Sequence, residues 1–508
     1  MNKITRYIFM AMSALALASC NDWLDVKPET EVREDDLLTS YKGYKEALAG
    51  CYTAMTSRDL YGEKLTMTNV ECLANLWNMP NSSHRLELYY MHYHFYDDDV
   101  SRNALKAIYS GMYNVVVQAN SIINHITANP ASIADEQARN IVEGEARAIR
   151  AFCHFDILRL FGQMPQNAQK TVSLPYSESN DIYTLPPYYG FNDFAKKILS
   201  DLDAAEEKLG KSDPIMEYTF DELTGTDTNP ADDLLEDNFL VYRRHRFNYW
   251  AVKALKARVY LYIGDNANAY KEAKAVIDAR IKGKKVVELA GNNDYEQGHY
   301  ALPSECLLAL HITDLIDYSI STLGGDPSTR VLTEQVMYVS TRNLDNKLYA
   351  GQNTTSNNRY LNMWDHNTAS PTGTKSPTIK KYYWNIKDNH TTLELHTALQ
   401  IMPLLRLSEM YLIAMETTGS LAEANELYRT YMAARNVNIT DDFASMDDVK
   451  AEVVNEYRRE FYGEGQMFYC YKRTGEKSMM FSYQQMGDDE YVLPLPNTEF
   501  NPADKAAE

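Results

Sequence analysis

The chain has no excess of positive charge: 50 Lys and Arg stand against 70 Asp and Glu, a formal net charge of -20. A polyanion would approach such a surface against repulsion, which argues against nucleic acid as a ligand. Cysteine is sparse, with six residues and no CxxC pair, so neither a disulfide framework nor a thiolate metal site has a starting pattern. No HExxH, GxSxG, SxxK or phosphate-binding GxxxxGK[ST] occurs, which leaves metalloprotease, serine hydrolase and nucleotide chemistry without their usual residues. The apolar run from Tyr7 to Ala18 stops short of the about 20 residues a membrane-spanning helix needs.

Instead, the sequence offers 508 residues, 45% of them hydrophobic, with a mean hydropathy of -0.45, enough for a sizeable core in one large unit or several domains. Tyrosine is abundant, at 38 against 15 Phe, and its ring with a polar tip suits half-exposed surfaces as well as core edges. Lys3 and Arg6 ahead of the apolar run give residues 1–19 the form of a secretory signal. Leu17-Ala18-Ser19-Cys20 resembles a bacterial lipobox, which implies that Cys20 carries the lipid anchor. Without residues 1–19 the net charge becomes -22. The other five cysteines read as buried small hydrophobes, with a Cys51–Cys72 disulfide as an alternative.

Periodicity predicts a mainly α protein. Leu105, Ile108, Met112, Val115, Ala119, Ile122 and Ile126 recur every three or four residues up to Pro130, one stripe of an amphipathic helix. A second helix spans Ile141 to Phe155 and ends near Gly162; a third carries Phe191, Phe194, Ile198, Leu202, Ala205 and Leu209 and stops at Gly210 and Pro214. Gly264, Ala269 and Ala273 share their spacing with Gly419, Ala424 and Tyr428, and both sets are similar to tetratricopeptide helix hairpins. The expected organisation is a signal at 1–19, an N-terminal region at 20–212, an acidic loop and helix pair at 213–300, and a C-terminal region at 301–508 with a loop insertion over 340–400. The acidic loop includes Asp221, Glu222, Asp227, Asp232, Asp233, Glu236 and Asp237; a calcium loop from Asp227 is disfavoured because Ala231 and Asp232 stand where a ligand and Gly are required.

Gly144-Glu145-Ala146-Arg147-Ala148-Ile149-Arg150-Ala151-Phe152, continued by Leu160-Phe161-Gly162, resembles a motif helix of the SusD/RagB family. Agreement continues, in the family's order, at Ala257-Arg258-Val259-Tyr260-Leu261, Pro403-Leu404-Leu405-Arg406-Leu407-Ser408-Glu409, Glu456-Tyr457-Arg458-Arg459-Glu460 with Glu464-Gly465, and Leu493-Pro494-Leu495-Pro496. Departures fall at Cys153-His154 and Gln466-Met467. The resemblance implies a SusD-like fold with long ligand-binding loops. It also implies an outer-membrane lipoprotein facing the exterior that passes captured oligosaccharides, or in some relatives peptides, to a SusC-like TonB-dependent transporter. No cofactor and no metal is expected.

The motif acids and arginines read as helix-face ion pairs, Arg406 with Glu409 among them. A glycosidase pair at Glu456 and Glu460 is the competing reading, but it needs one acid of raised pKa and adjacent Arg would lower both. The resemblance supplies no ligand residue, so candidates come from chemistry: rings that stack on sugar faces beside amide and guanidinium groups that meet hydroxyls. These are Trp77, Trp364 and Trp384 with Tyr89, Tyr93 and Tyr360, oriented by Asn75, Asn78 or Arg359. Residues 89–96 are expected to be extended, with His92, His94 and Tyr96 on one face and Met91, Tyr93 and Phe95 on the other. Arg359, Lys375, Lys380 and Lys381 form a possible basic patch for an acidic sugar or a peptide carboxylate.

Overall fold

Side-chain caps start the helices. In the computed structural model, which describes residues 34–499 except 80–84, 171, 182, 227–228, 231–234, 236, 325–336, 371–372, 383–389 and 483, Ser40 accepts from Gly43 N to open α1 (Tyr41–Met55). A short helix α2 (Leu86–His92) follows. Asp98 then accepts from Val100 N at α3 (Asp99–Ala128), and Asp135 from Gln137 N and Ala138 N at α4 (Glu136–Phe161). Each cap occupies donors that the helix itself leaves unpaired.

The expected stripe of α3 is buried from Leu105 to Ile126. Helix α4 is buried around most of its circumference, because α3 packs on one side and α5 (Phe191–Ser212) on another. A Cβ on Gly144 would lie 2.8 Å from Leu209 Cγ, so the motif glycine permits the close approach of α4 and α5. Helix α5 runs through Gly210 to Ser212, two residues beyond the expected stop, and ends where Asp213 precedes Pro214.

Two hairpins follow: α6 (Tyr249–Ile263) with α7 (Asn266–Ile277), and α8 (Leu407–Thr417) with α9 (Leu421–Ala434). Gly264 turns the first with φ +83, a left-handed conformation suited to glycine. The second turns through Thr418 and Ser420, whose backbones are extended, and its Gly419 has no positive φ. Although the sequence separates the hairpins, α7 packs directly against α8, so helices α3 to α9 form a continuous series of neighbours. The long insertion between them includes β1 (Cys306–His311), which pairs antiparallel with β2 (Ile401–Arg406) with a bulge after Pro403. Helices α10 (Met446–Glu460) and α11 (Met467–Thr474) close the fold.

The chain end seals α4. Leu493 N donates to Leu160 O at 3.1 Å, and the buried Lys472 ammonium donates to Leu160 O at 3.1 Å and Gly162 O at 2.8 Å, meeting carbonyls that a helix end leaves open. The five cysteines from Cys51 to Cys470 are free and buried, as small hydrophobes rather than a Cys51–Cys72 disulfide. Among the described residues, no helix is long and apolar enough to cross a membrane.

Candidate ligand-binding site

Residues 86–96 contain seven aromatic or histidine side chains, too many for one face of a short element to bury. The segment is not a simple extended strand: α2 covers Leu86–His92 and turns Leu88, Met91 and His92 inward. Asn75 Nδ2 donates to His92 O at 2.9 Å, and His94, at φ +55, places Nε2 3.1 Å from Leu73 O. From His92 onward the faces alternate as the sequence suggests, with His92, His94 and Tyr96 inside and Tyr93 and Phe95 outside. Burial pushes the His92 imidazole down to about 4, so it is neutral near pH 7. Among the described residues no group of three His, Cys, Asp or Glu is placed to hold a metal ion.

The outward rings form a platform. Tyr93 is 40% exposed and Phe95 51%. Their rings lie 5.9 Å apart at 25°, Tyr89 meets Tyr93 at 4.6 Å, and Tyr90 approaches Phe95 at 6.2 Å. The first residues of the same α2, Leu86 to Leu88, line a cleft of about 460 Å³ together with Arg58, Asp59, Glu63, Lys64, Asn69 and Arg85 among others. Its charges are matched in sign: Arg58 Nε donates to Glu63 at 2.6 Å, Lys64 pairs with Asp59 at 2.9 Å and Glu87 at 3.5 Å, and Asn69 Nδ2 donates to Glu87 at 2.8 Å. Rings in the platform and forked donors and acceptors in the cleft suit a ligand with C–H faces and many hydroxyls.

The remaining sequence candidates fare differently. Trp77 is fully buried; its indole donates to Glu71 at 3.0 Å and meets Tyr462 edge-on at 4.6 Å. Trp364 is buried on the same Tyr462 ring at 5.0 Å. Neither can serve as an exposed stacking surface. Asn75 is buried by its bond to His92, and half-buried Asn78 accepts from Ser340 N at 2.6 Å, tying the chain to the 340s. Tyr360 is half-buried and donates to Asp345 at 2.8 Å. Arg359 is fully buried and paired with Glu456 and Glu460, and Lys381 is buried on Glu464, so the expected basic patch loses two of its four members and keeps only exposed Lys375 and half-buried Lys380 at the surface. Trp384 and Cys20 lie outside the described residues, as does Asp227. Phe95, Tyr90 and the cleft arginines Arg58 and Arg85 were absent from the candidates; the aromatic density of 89–96 was their signal.

Comparison with known proteins identifies the family and the fold. A family model described as starch-binding and associating with the outer membrane matches residues 22–261, and the SusD family model matches 257–506. The chain belongs to the SusD/RagB family. Its curated relatives include a SusD-like protein, P25, of Formosa agariphila, 24% identical over 31% of this chain and 30% of that one. Another is a SusD-like protein of Bacteroides ovatus, 25% identical over 41% and 35%. These matches span about a third of the relatives' length. Solved structures are covered more fully. A SusD superfamily protein from Bacteroides thetaiotaomicron aligns over 91% of this chain and 98% of its own, with a TM-score of 0.68 and 18% identity. A laminarin-binding SusD-like protein aligns over 90% and 96%, with 0.65 and 18%. A SusD-like carbohydrate-binding protein from Bacteroides vulgatus aligns over 86% and 83%, with 0.62 and 16%. The SusD-like fold is thus common to them.

In this SusD/RagB chain the motif charges form buried interelement pairs. Arg406 reaches Glu305, Glu460 and Glu464 at 3.0, 2.8 and 2.7 Å. Its expected partner Glu409 instead takes Arg258 at 2.6 Å, while Arg406, the last residue of β2, is occupied by the other three acids. Arg435 reaches Glu305 and Glu460, and Tyr431 donates to Glu456 and Glu460. In the first half, Glu145 meets Arg243 and Tyr52, and Arg150 Nε donates to Asp201 at 2.7 Å. Only Arg147–Glu143, Arg159–Asp156 and Arg459–Glu456 are short-range helix pairs of the expected kind. Burial opposes ionisation of Glu456, but the Arg359 and Arg459 guanidiniums outweigh it and hold the carboxyl down at about 2. Glu460 is likewise held well below the usual range, against burial, by Arg435, Arg406 and Arg359. Neither acid is a proton donor near neutral pH. At the departures, His154 stacks on Tyr176 at 3.9 Å and Gln466 accepts from Arg159 at 3.1 Å, so both pack.

Proposed function

We propose that this SusD/RagB protein is a nutrient-binding lipoprotein, anchored through Cys20 on the exterior of the outer membrane, that captures oligosaccharides on the Tyr89–Tyr93–Phe95 platform. It delivers them to a SusC-like TonB-dependent transporter and does not cleave them. The observation that carries the reading is the exposed set of stacked rings, Tyr93 on Phe95, together with the charge-matched cleft. Support comes from the starch-binding description of the family model and from solved relatives named for binding laminarin or carbohydrate. With three cations, Arg58, Lys64 and Arg85, lining it beside three anions, Asp59, Glu63 and Glu87, the cleft favours a neutral glycan over a polyanionic one. Screening purified protein against neutral glycans and against peptides tests the reading. Glycan binding that falls with Tyr93→Ala or Phe95→Ala, with no shorter product released, is the expected result. Peptide binding alone would move the protein to a peptide-capturing role, and released product would make it a glycosidase.

A further inference from the structure

Among the described residues, the most exposed large apolar side chains lie far from the platform in sequence, on the loop before α5. Tyr183 is 88% exposed and Leu185 77%. The loop is nevertheless well held. At its base Leu174 pairs with Tyr189 and Pro175 with Tyr188, while the Tyr188 hydroxyl donates to Glu499 at 2.7 Å. Near its tip Asp181 accepts from Tyr183 N at 3.0 Å and from the Thr184 hydroxyl at 2.7 Å. No charged residue occurs between Asp181 and Asp193, in a chain of which 24% is charged.

Where the chain enters the fold gives this tip its meaning. Glu34, the first described residue, accepts from Asn180 Nδ2 at 2.7 Å, so the described chain begins beside the loop, three residues from Tyr183. Residues 20–33 number fourteen and reach about 50 Å at full extension. On the reading that Cys20 is lipidated, a tether of that length starting beside the loop leaves the tip within reach of the bilayer. A protein partner needs a face of about 800 Å² per side. Two projecting side chains form no such face, but a tyrosine and a leucine on an uncharged, proline-containing tip match the chemistry of the bilayer interface.

We propose that the Tyr183–Leu185 tip is a second membrane contact, seating in the lipid interface and fixing the tilt of the anchored protein. A fluorophore sensitive to its surroundings, attached to Leu185→Cys, tests this: the described cysteines are all buried, so the new thiol is the accessible one. A label on Lys282→Cys, in an exposed turn, is the control. The lipoprotein is reconstituted in phosphatidylcholine vesicles without any barrel. In parallel, Cys20→Ala protein is tethered by an N-terminal histidine tag to nickel-chelating lipid. Flotation reads the lipid anchor; the label reads the tip under either tether. The label at 185 should shift to the blue and be quenched severalfold more by lipid-borne quencher than the label at 282, equally at low and high salt. Water-like emission at 185 with both tethers overturns the proposal, and so does a shift that appears only after a barrel transporter, or a crowded second copy, is added.

Discussion

The aromatic platform on residues 86–96 and the ion-pair network around Glu460 are built from residues that look equally functional in sequence, yet they do opposite work. At the network, Arg359, Arg406 and Arg435 are withdrawn from water and bound to carboxylates from distant parts of the chain. At the platform, rings are left partly in water, packed on one another and on the His92 ring. Charge inside a fold is tolerated only when matched, so it marks architecture; apolar surface kept outside lacks a folding reason, which is why binding is proposed there.

The sharpest way to break this contrast is to remove one member of the network. Arg406→Ala removes the one cation shared by Glu305, Glu460 and Glu464, leaving three buried carboxylates with only Arg435, Arg359 and Lys381 to match them, and should cost about 3 to 5 kcal/mol in chemical denaturation. A loss below 1 kcal/mol would show that the network is not structural.

Acid should act on the network next. The carboxyl of Glu456 lies at about 2 in the fold against 4.5 ordinarily, so its contribution is complete above pH 4.5 and is lost as pH falls towards 2. By linkage that is on the order of 3 kcal/mol, and replacing the acid by Gln should flatten stability against pH in that window. His92, lowered to about 4, adds a loss that begins below its ordinary 6.5, because the unfolded chain takes up the proton first.

At the platform the effect should move from stability to binding. Tyr93→Ala or Phe95→Ala should weaken glycan affinity by about 1 to 3 kcal/mol in calorimetry while changing stability by no more than about 0.5 kcal/mol. The buried Trp77 gives the reverse pattern: Trp77→Ala lowers the melting temperature steeply, and its binding, measured well below that temperature, persists. Smallest is the cleft. Lys64→Ala removes partly exposed pairs and should alter affinity by less than about 1 kcal/mol, with added salt reducing the difference.

Sequence periodicity located the long helices because each must bury a stripe every three to four residues, and the α3 stripe is buried from Leu105 to Ile126. It located the aromatic cluster but not which rings face out. It also assigned Trp77, Trp364 and Arg359 to the ligand, since a loop-like sequence looks exposed until the rest of the chain covers it. Arg406 with Glu409 shows the same limit for charge: three-residue spacing permits a pair, but Arg406 meets carboxylates 54 and 101 residues away.

By itself, then, the sequence determined the mainly helical fold, the family motifs and the hairpins at Gly264 and Gly419, all of which depend on spacing along one chain. That α7 packs on α8, that Tyr462 buries both Trp77 and Trp364, and that Tyr93 and Phe95 remain outside were decided only by tertiary structure. The physical reason is that burial is a property of what the remainder of the chain brings near a residue, and local spacing carries no record of it.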